Sequence, residues 1–80
     1  MISEINEKQI RNFTYNVAWL RKRHKLSKKK MAEILNISIN SLSKLEKDII
    51  PPRLTIKIIF DIWDYFGIHP AKQFGQRLSD

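Results

Sequence analysis

Residues 28–47 read KKKMAEILNISINSLSKLEK, two short apolar periods separated by a break. From Lys28 to Leu35 the apolar residues are Met31, Ala32, Ile34 and Leu35, the spacing of one buried helical face. Ser27 stands before them as an N-cap, with a hydroxyl that can accept from an amide the helix leaves without a partner. Asn36 ends the segment, because Asn tolerates left-handed backbone better than other non-Gly residues. Ile37 and Ser38 restart the chain, Ser38 again as an N-cap, and a second helix over Ile39 to Lys47 buries Leu42 and Leu45. Two short helices that cross steeply need a small residue at closest approach, and Ala32 supplies it. The turn needs positive φ, and Asn36 can adopt it. The inward positions need greasy side chains, and Met31, Leu35, Ile37, Leu42 and Leu45 provide them. All seven together make a helix-turn-helix pattern.

Upstream, Ile10, Phe13, Val17 and Leu20 recur at spacings of three and four, predicting a helix from about Ile10 to His24. Downstream, Pro51 and Pro52 stop the motif. Leu54 to Ile62 fits a strand period as well as a helix period. A helix is chosen because Thr55 can cap it and the run reaches Gly67 as a stop. Ile56, Ile59, Phe60, Trp63 and Phe66 are then its apolar face, and Lys57, Asp61 and Asp64 its wet face. A last short helix, about Ala71 to Gln76, follows Pro70. The expectation is an all-α, compact bundle of four to five short helices. Residues 1–9 are read as an N-terminal arm, 10–76 as the domain and 77–80 as a C-terminal tail.

Eighty residues allow one small domain, with 42% hydrophobic and 29% charged residues. Cys is absent, which removes disulfides, thiolate zinc sites and cysteine nucleophiles. No segment reads as a secretory signal or approaches the ~20 apolar residues of a membrane span, and the expected location is cytoplasmic. Lys and Arg number 15 against 8 Asp and Glu, a net charge of +7. A surplus that large points to a polyanionic partner, nucleic acid before an anionic membrane. Arg21, Lys22, Arg23, Lys25, Lys28, Lys29 and Lys30 form a run with no acid between them, a candidate electrostatic footprint against the plainer reading of a solvated face. His24 and His69 lack a carboxylate cluster at ligand spacing, and no phosphate loop or nucleophile elbow is present. No enzyme activity, metal, cofactor or small-molecule ligand is therefore expected. Trp19 and Phe66 read as core or interface, and Trp63, Tyr65 and Phe74 as a surface for a second copy.

The run from Leu20 to Ile68 resembles the XRE/Cro-repressor-type helix-turn-helix family of bacteria and their phages. The landmarks are Leu20-Arg21, Leu26-Ser27, Met31-Ala32-Glu33, the Asn36 turn, Leu45-Glu46, the Pro51-Pro52 loop and Phe66-Gly67-Ile68. The resemblance covers about Phe13 to Phe74. It implies a lambda-repressor-like bundle that binds duplex DNA, usually as a dimer. Lys25, Asn36 and Asp48 depart from the pattern by standing where that family commonly has Gly. Asn and Asp can take the backbone required. Lys25 suits it less, so the first loop is expected to differ in shape.

In such docking the second motif helix lies in the major groove, which makes Ile39, Asn40, Ser43 and Lys44 the candidate base contacts. Asn40 can pair with adenine, Lys44 with guanine, and Ile39 can pack on a thymine methyl. The resemblance implies phosphate contacts at Ser27, Lys28, Ser38 and Ser41. Lys29 and Arg53 join them as candidate backbone contacts. The resemblance also implies a structural ion pair between Arg21 and Glu46. The expected function is a sequence-specific regulator of transcription acting as a repressor. The alternatives are an antitoxin-type DNA-binding protein with a toxin partner and a small basic RNA-binding protein or ribonuclease. The last requires the strand reading of Leu54 to Ile62.

Overall fold

Glu7 opens the first helix three residues before the apolar stripe begins. In the computed structural model, which describes residues 7–49 and 56–79, helix α1 spans Glu7–Arg23. An acid in the first turn suits the helix dipole, and Glu7 Oε2 also receives Arg11 Nη2 at 3.0 Å, one turn on. Residues 7–9 are thus helical and not arm, because polar first-turn chemistry extends a helix beyond its apolar period. Helix α2 is Lys28–Leu35, α3 Ile39–Glu46, α4 Ile56–Phe66 and α5 Pro70–Gly75. The described residues form no strand. Residues 56–62 are therefore helical, and the strand that a sheet-based RNA binder would need there does not form.

Among the described residues, ten side chains make the core: Phe13, Val17 and Leu20 of α1, Met31, Ala32 and Leu35 of α2, Leu42 and Leu45 of α3, and Ile58 and Ile62 of α4. Ala32 is buried where α2 meets the bundle. The inward face of α4 is only partly the expected one. Ile58 and Ile62 are buried, Ile59 and Phe66 pack beside them, and Ile56, Phe60 and Trp63 face outward. The helix is apolar over more than half its circumference, so periodicity alone could not say which apolar stripe the bundle would cover.

The C-terminal segment is fastened by buried amides rather than by grease alone. Asn12 Nδ2 donates to Phe74 O at 3.0 Å, and Asn16 Nδ2 donates to Gln73 O at 2.9 Å and Gln76 O at 2.8 Å. Asn16 Oδ1 accepts from the Leu78 amide at 2.8 Å. Gln73 Nε2 donates to Ile59 O and Ile68 O. Phe74 stacks on Phe13 with ring centroids 4.7 Å apart, Leu78 packs on the core, and the Arg77 guanidinium lies over the Tyr15 ring. Two expectations change accordingly. Phe74 packs against the core rather than forming a surface, and Arg77 and Leu78 are docked rather than a tail. Apolar periodicity misses both because Asn12, Asn16 and Gln73 are polar residues buried by hydrogen bonding.

Candidate nucleic-acid interface

Three helix ends in succession shape the motif. After α1, the Leu26 amide donates to Arg21 O at 2.9 Å and the Lys25 amide to Lys22 O at 3.1 Å. After α2, Ile37 donates to Ala32 O and Asn36 to Glu33 O; after α3, Ile49 donates to Lys44 O and Asp48 to Leu45 O. Each is a Schellman closure, with one residue in left-handed backbone: Lys25 at φ 55°, Asn36 at 60° and Asp48 at 68°. Lys25 takes the same geometry as the other two. Two backbone hydrogen bonds and the packing of Leu26 against the core offset the steric cost at Lys25, so the first loop closes as the other two do.

The other ends are set by hydroxyls. Ser27 Oγ accepts from the Lys30 amide at 3.0 Å, and Ser38 Oγ from the Ser41 amide at 3.0 Å. The Ser38 and Ser41 hydroxyls are also bonded, at 3.0 Å. Both caps are exposed, as are Lys28, Lys29 and Lys30 in the first turn of α2. That turn contains no acid. Three cations thus crowd the positive end of a helix dipole, an arrangement that costs stability in isolation.

On α3, Leu42 and Leu45 point into the core. The opposite face presents Asn40 and Lys44 four residues apart, both exposed, with Ile39 also exposed beside them. Ser41 and Ser43 are half-buried. Lys28 Nζ lies 3.4 Å from Ser43 Oγ, so the first residue of α2 reaches across to the middle of α3. Arg53, the Pro51-Pro52 loop and the Thr55 cap lie outside the described residues.

Two acids fix the far end of α3. Arg21 Nε meets Glu46 Oε2 at 2.6 Å and Arg21 Nη2 meets Glu46 Oε1 at 3.0 Å, while Arg21 Nη1 donates to Leu26 O at 3.2 Å. Donating hydrogen bonds to the Glu46 carboxylate raises the Arg21 pKa above its ordinary value, against the opposing pull of burial. Arg21 therefore points inward and leaves the electrostatic footprint to its neighbours. Asp48 accepts the Thr14 hydroxyl and stands 3.9 Å from Arg11 Nε. Sequence reasoning missed this second tether, since neither Thr14 nor Asp48 carries a recognisable pattern. His24 packs against Phe66 at 5.0 Å, and His69 caps α5 by accepting from the Ala71 amide at 3.0 Å.

Comparison with curated proteins and with solved structures gave no match. A family model described as helix-turn-helix matches residues 17–73, from the middle of α1 into α5. That span is most of the chain and contains both motif helices with all three left-handed closures. The chain belongs to the XRE-type helix-turn-helix family of DNA-binding regulators.

Proposed function

We propose that the chain is a sequence-specific double-stranded-DNA-binding regulator that acts as a cytoplasmic repressor and binds as a homodimer, with α3 in the major groove. The observation that carries this reading is the lysine-loaded, acid-free N-terminus of α2 beside the exposed face of α3. Cations placed against a helix dipole are a local electrostatic conflict, and a bound polyanion would relieve it. Phosphates supply that charge.

Within this reading Asn40 pairs with adenine N6 and N7, Lys44 donates to guanine N7 and O6, and Ile39 packs on a thymine methyl. Ser43 adds a hydroxyl at the base edge, next to Lys28. Ser27, Lys28, Lys29, Ser38 and Ser41 bind phosphate, as does Arg53. These contacts fix register and orientation, while the α3 contacts choose the sequence. Arg21 and Glu46 are structural and hold α3 at the angle at which it enters the groove.

Selection from randomised duplexes, followed by anisotropy titration of the winner at several salt concentrations, tests the reading. The expected result is an enriched motif with two half-sites about one helical turn apart, and a log–log salt slope of about −0.9 per phosphate neutralised. Equal affinity for every duplex would refute sequence-specific regulation.

A further inference from the structure

Helix α4 carries one apolar stripe more than the bundle uses. Ile56, Phe60 and Trp63 follow at helical spacing on one side and are 68%, 48% and 40% exposed. The Phe60 and Trp63 rings stack at 5.9 Å, and Trp63 meets the His69 ring at 4.8 Å, so two of the three side chains of the stripe are joined by ring contacts. Lys57, Asp61 and Asp64 run along one edge of it, with Lys57 Nζ 3.2 Å from Asp61 Oδ1.

We infer that this stripe is the homodimer face, closed by antiparallel packing of α4 on α4 of a second copy about a two-fold axis near Phe60. The inference deepens the dimer proposed above and rests on it. The argument for a second copy is charge complementarity. A two-fold axis perpendicular to the paired helices, and lying between them, leaves each lateral edge on its own side and reverses its direction. Lys57, three residues before Phe60, then lies opposite Asp64 of the other copy, four residues after it, and the pairing occurs twice. The stripe is matched as well: Phe60 meets Phe60, and Ile56 of each copy lies near Trp63 of the other. Apolar and aromatic side chains inside a charged rim are the anatomy of a specific interface. Within one chain Lys57 and Asp64 are seven residues apart, two helical turns, so they do not pair directly there.

Sedimentation equilibrium of the full chain tests this, with circular dichroism confirming that each variant stays helical. The wild type is expected at about 19 kDa, twice the 9.5 kDa chain mass, and F60E and W63E at the monomer mass. K57E and D64K each place like charges opposite one another and should raise the dimer dissociation constant about tenfold. The double variant K57E/D64K should restore it, which a merely structural role for either residue would not do. A dimeric wild type whose F60E and W63E variants remain dimeric would overturn this face and leave the dimer standing. A wild type that is monomeric, both free and on its selected duplex, would overturn both.

Discussion

The Arg21 guanidinium grips both carboxylate oxygens of Glu46, at 2.6 and 3.0 Å, and so bolts the last turn of α3 to the last turn of α1. The side chains are only 16% and 9% exposed, so removing one partner strands a poorly solvated charge. R21A or E46A should cost about 3 kcal/mol by chemical denaturation, whereas R21M/E46L should cost much less than the sum of the two. Because bonding to Glu46 raises the Arg21 pKa, its contribution is fully present below the ordinary arginine value and is lost only as pH rises through the folded one. Arg21 titration should therefore leave the unfolding free energy flat across neutral pH. A slope near neutrality that R21M abolishes would contradict this.

The three left-handed closures should respond differently to glycine. Lys25 is exposed and pays the steric cost of φ 55°, so K25G should stabilise by about 1 kcal/mol. Asn36 tolerates that backbone already, and N36G should change little. Asp48 also holds the Thr14 hydroxyl, so D48G should destabilise despite its easier backbone. Thermal melts of the three variants give the order directly.

Asn16 makes three hydrogen bonds to residues 73–78 and is buried. N16L should cost about 2–3 kcal/mol by leaving those backbone groups unpaired. Amide exchange should quicken at Leu78, which donates to Asn16, before it changes in α2 and α3.

Much of this architecture was legible in the sequence. Met31, Ala32, Leu35, Leu42 and Leu45 occupy positions whose period permits one inward face, and all five are core. Ser27 and Ser38 read as caps because a hydroxyl before an apolar helix has few other uses, and both do cap. The α4 face was only partly legible: Ile59 and Phe66 do face the core, but Ile56/Phe60/Trp63 and Ile58/Ile62 are equally good stripes and packing chose between them. The Asn16 clamp was hidden for the opposite reason, since a polar residue in a helix reads as wet until its partners, 57 and more residues away, are known. Arg21 illustrates a third limit: a basic run suggests a surface patch, yet one member turns inward to meet an acid 25 residues on.

Lysines at the α2 N-terminus should show a trade between stability and binding. Lys29 is exposed, and K29E replaces a cation with an anion at the positive end of the dipole. It should stabilise the free protein by about 0.5–1 kcal/mol and weaken binding to all duplexes alike. Paired melts and anisotropy titrations check both halves, and unchanged affinity would remove Lys29 from the phosphate contacts.

The placement of α3 in the major groove is tested most directly by titrating N40A and K44A against the selected duplex and a panel of single-base variants of it. The expected result is a loss of about 1–3 kcal/mol on the selected duplex and a collapse of discrimination at particular base pairs, with the rest of the panel little changed. Equal losses on every duplex would contradict it and would put another element of the chain in the groove.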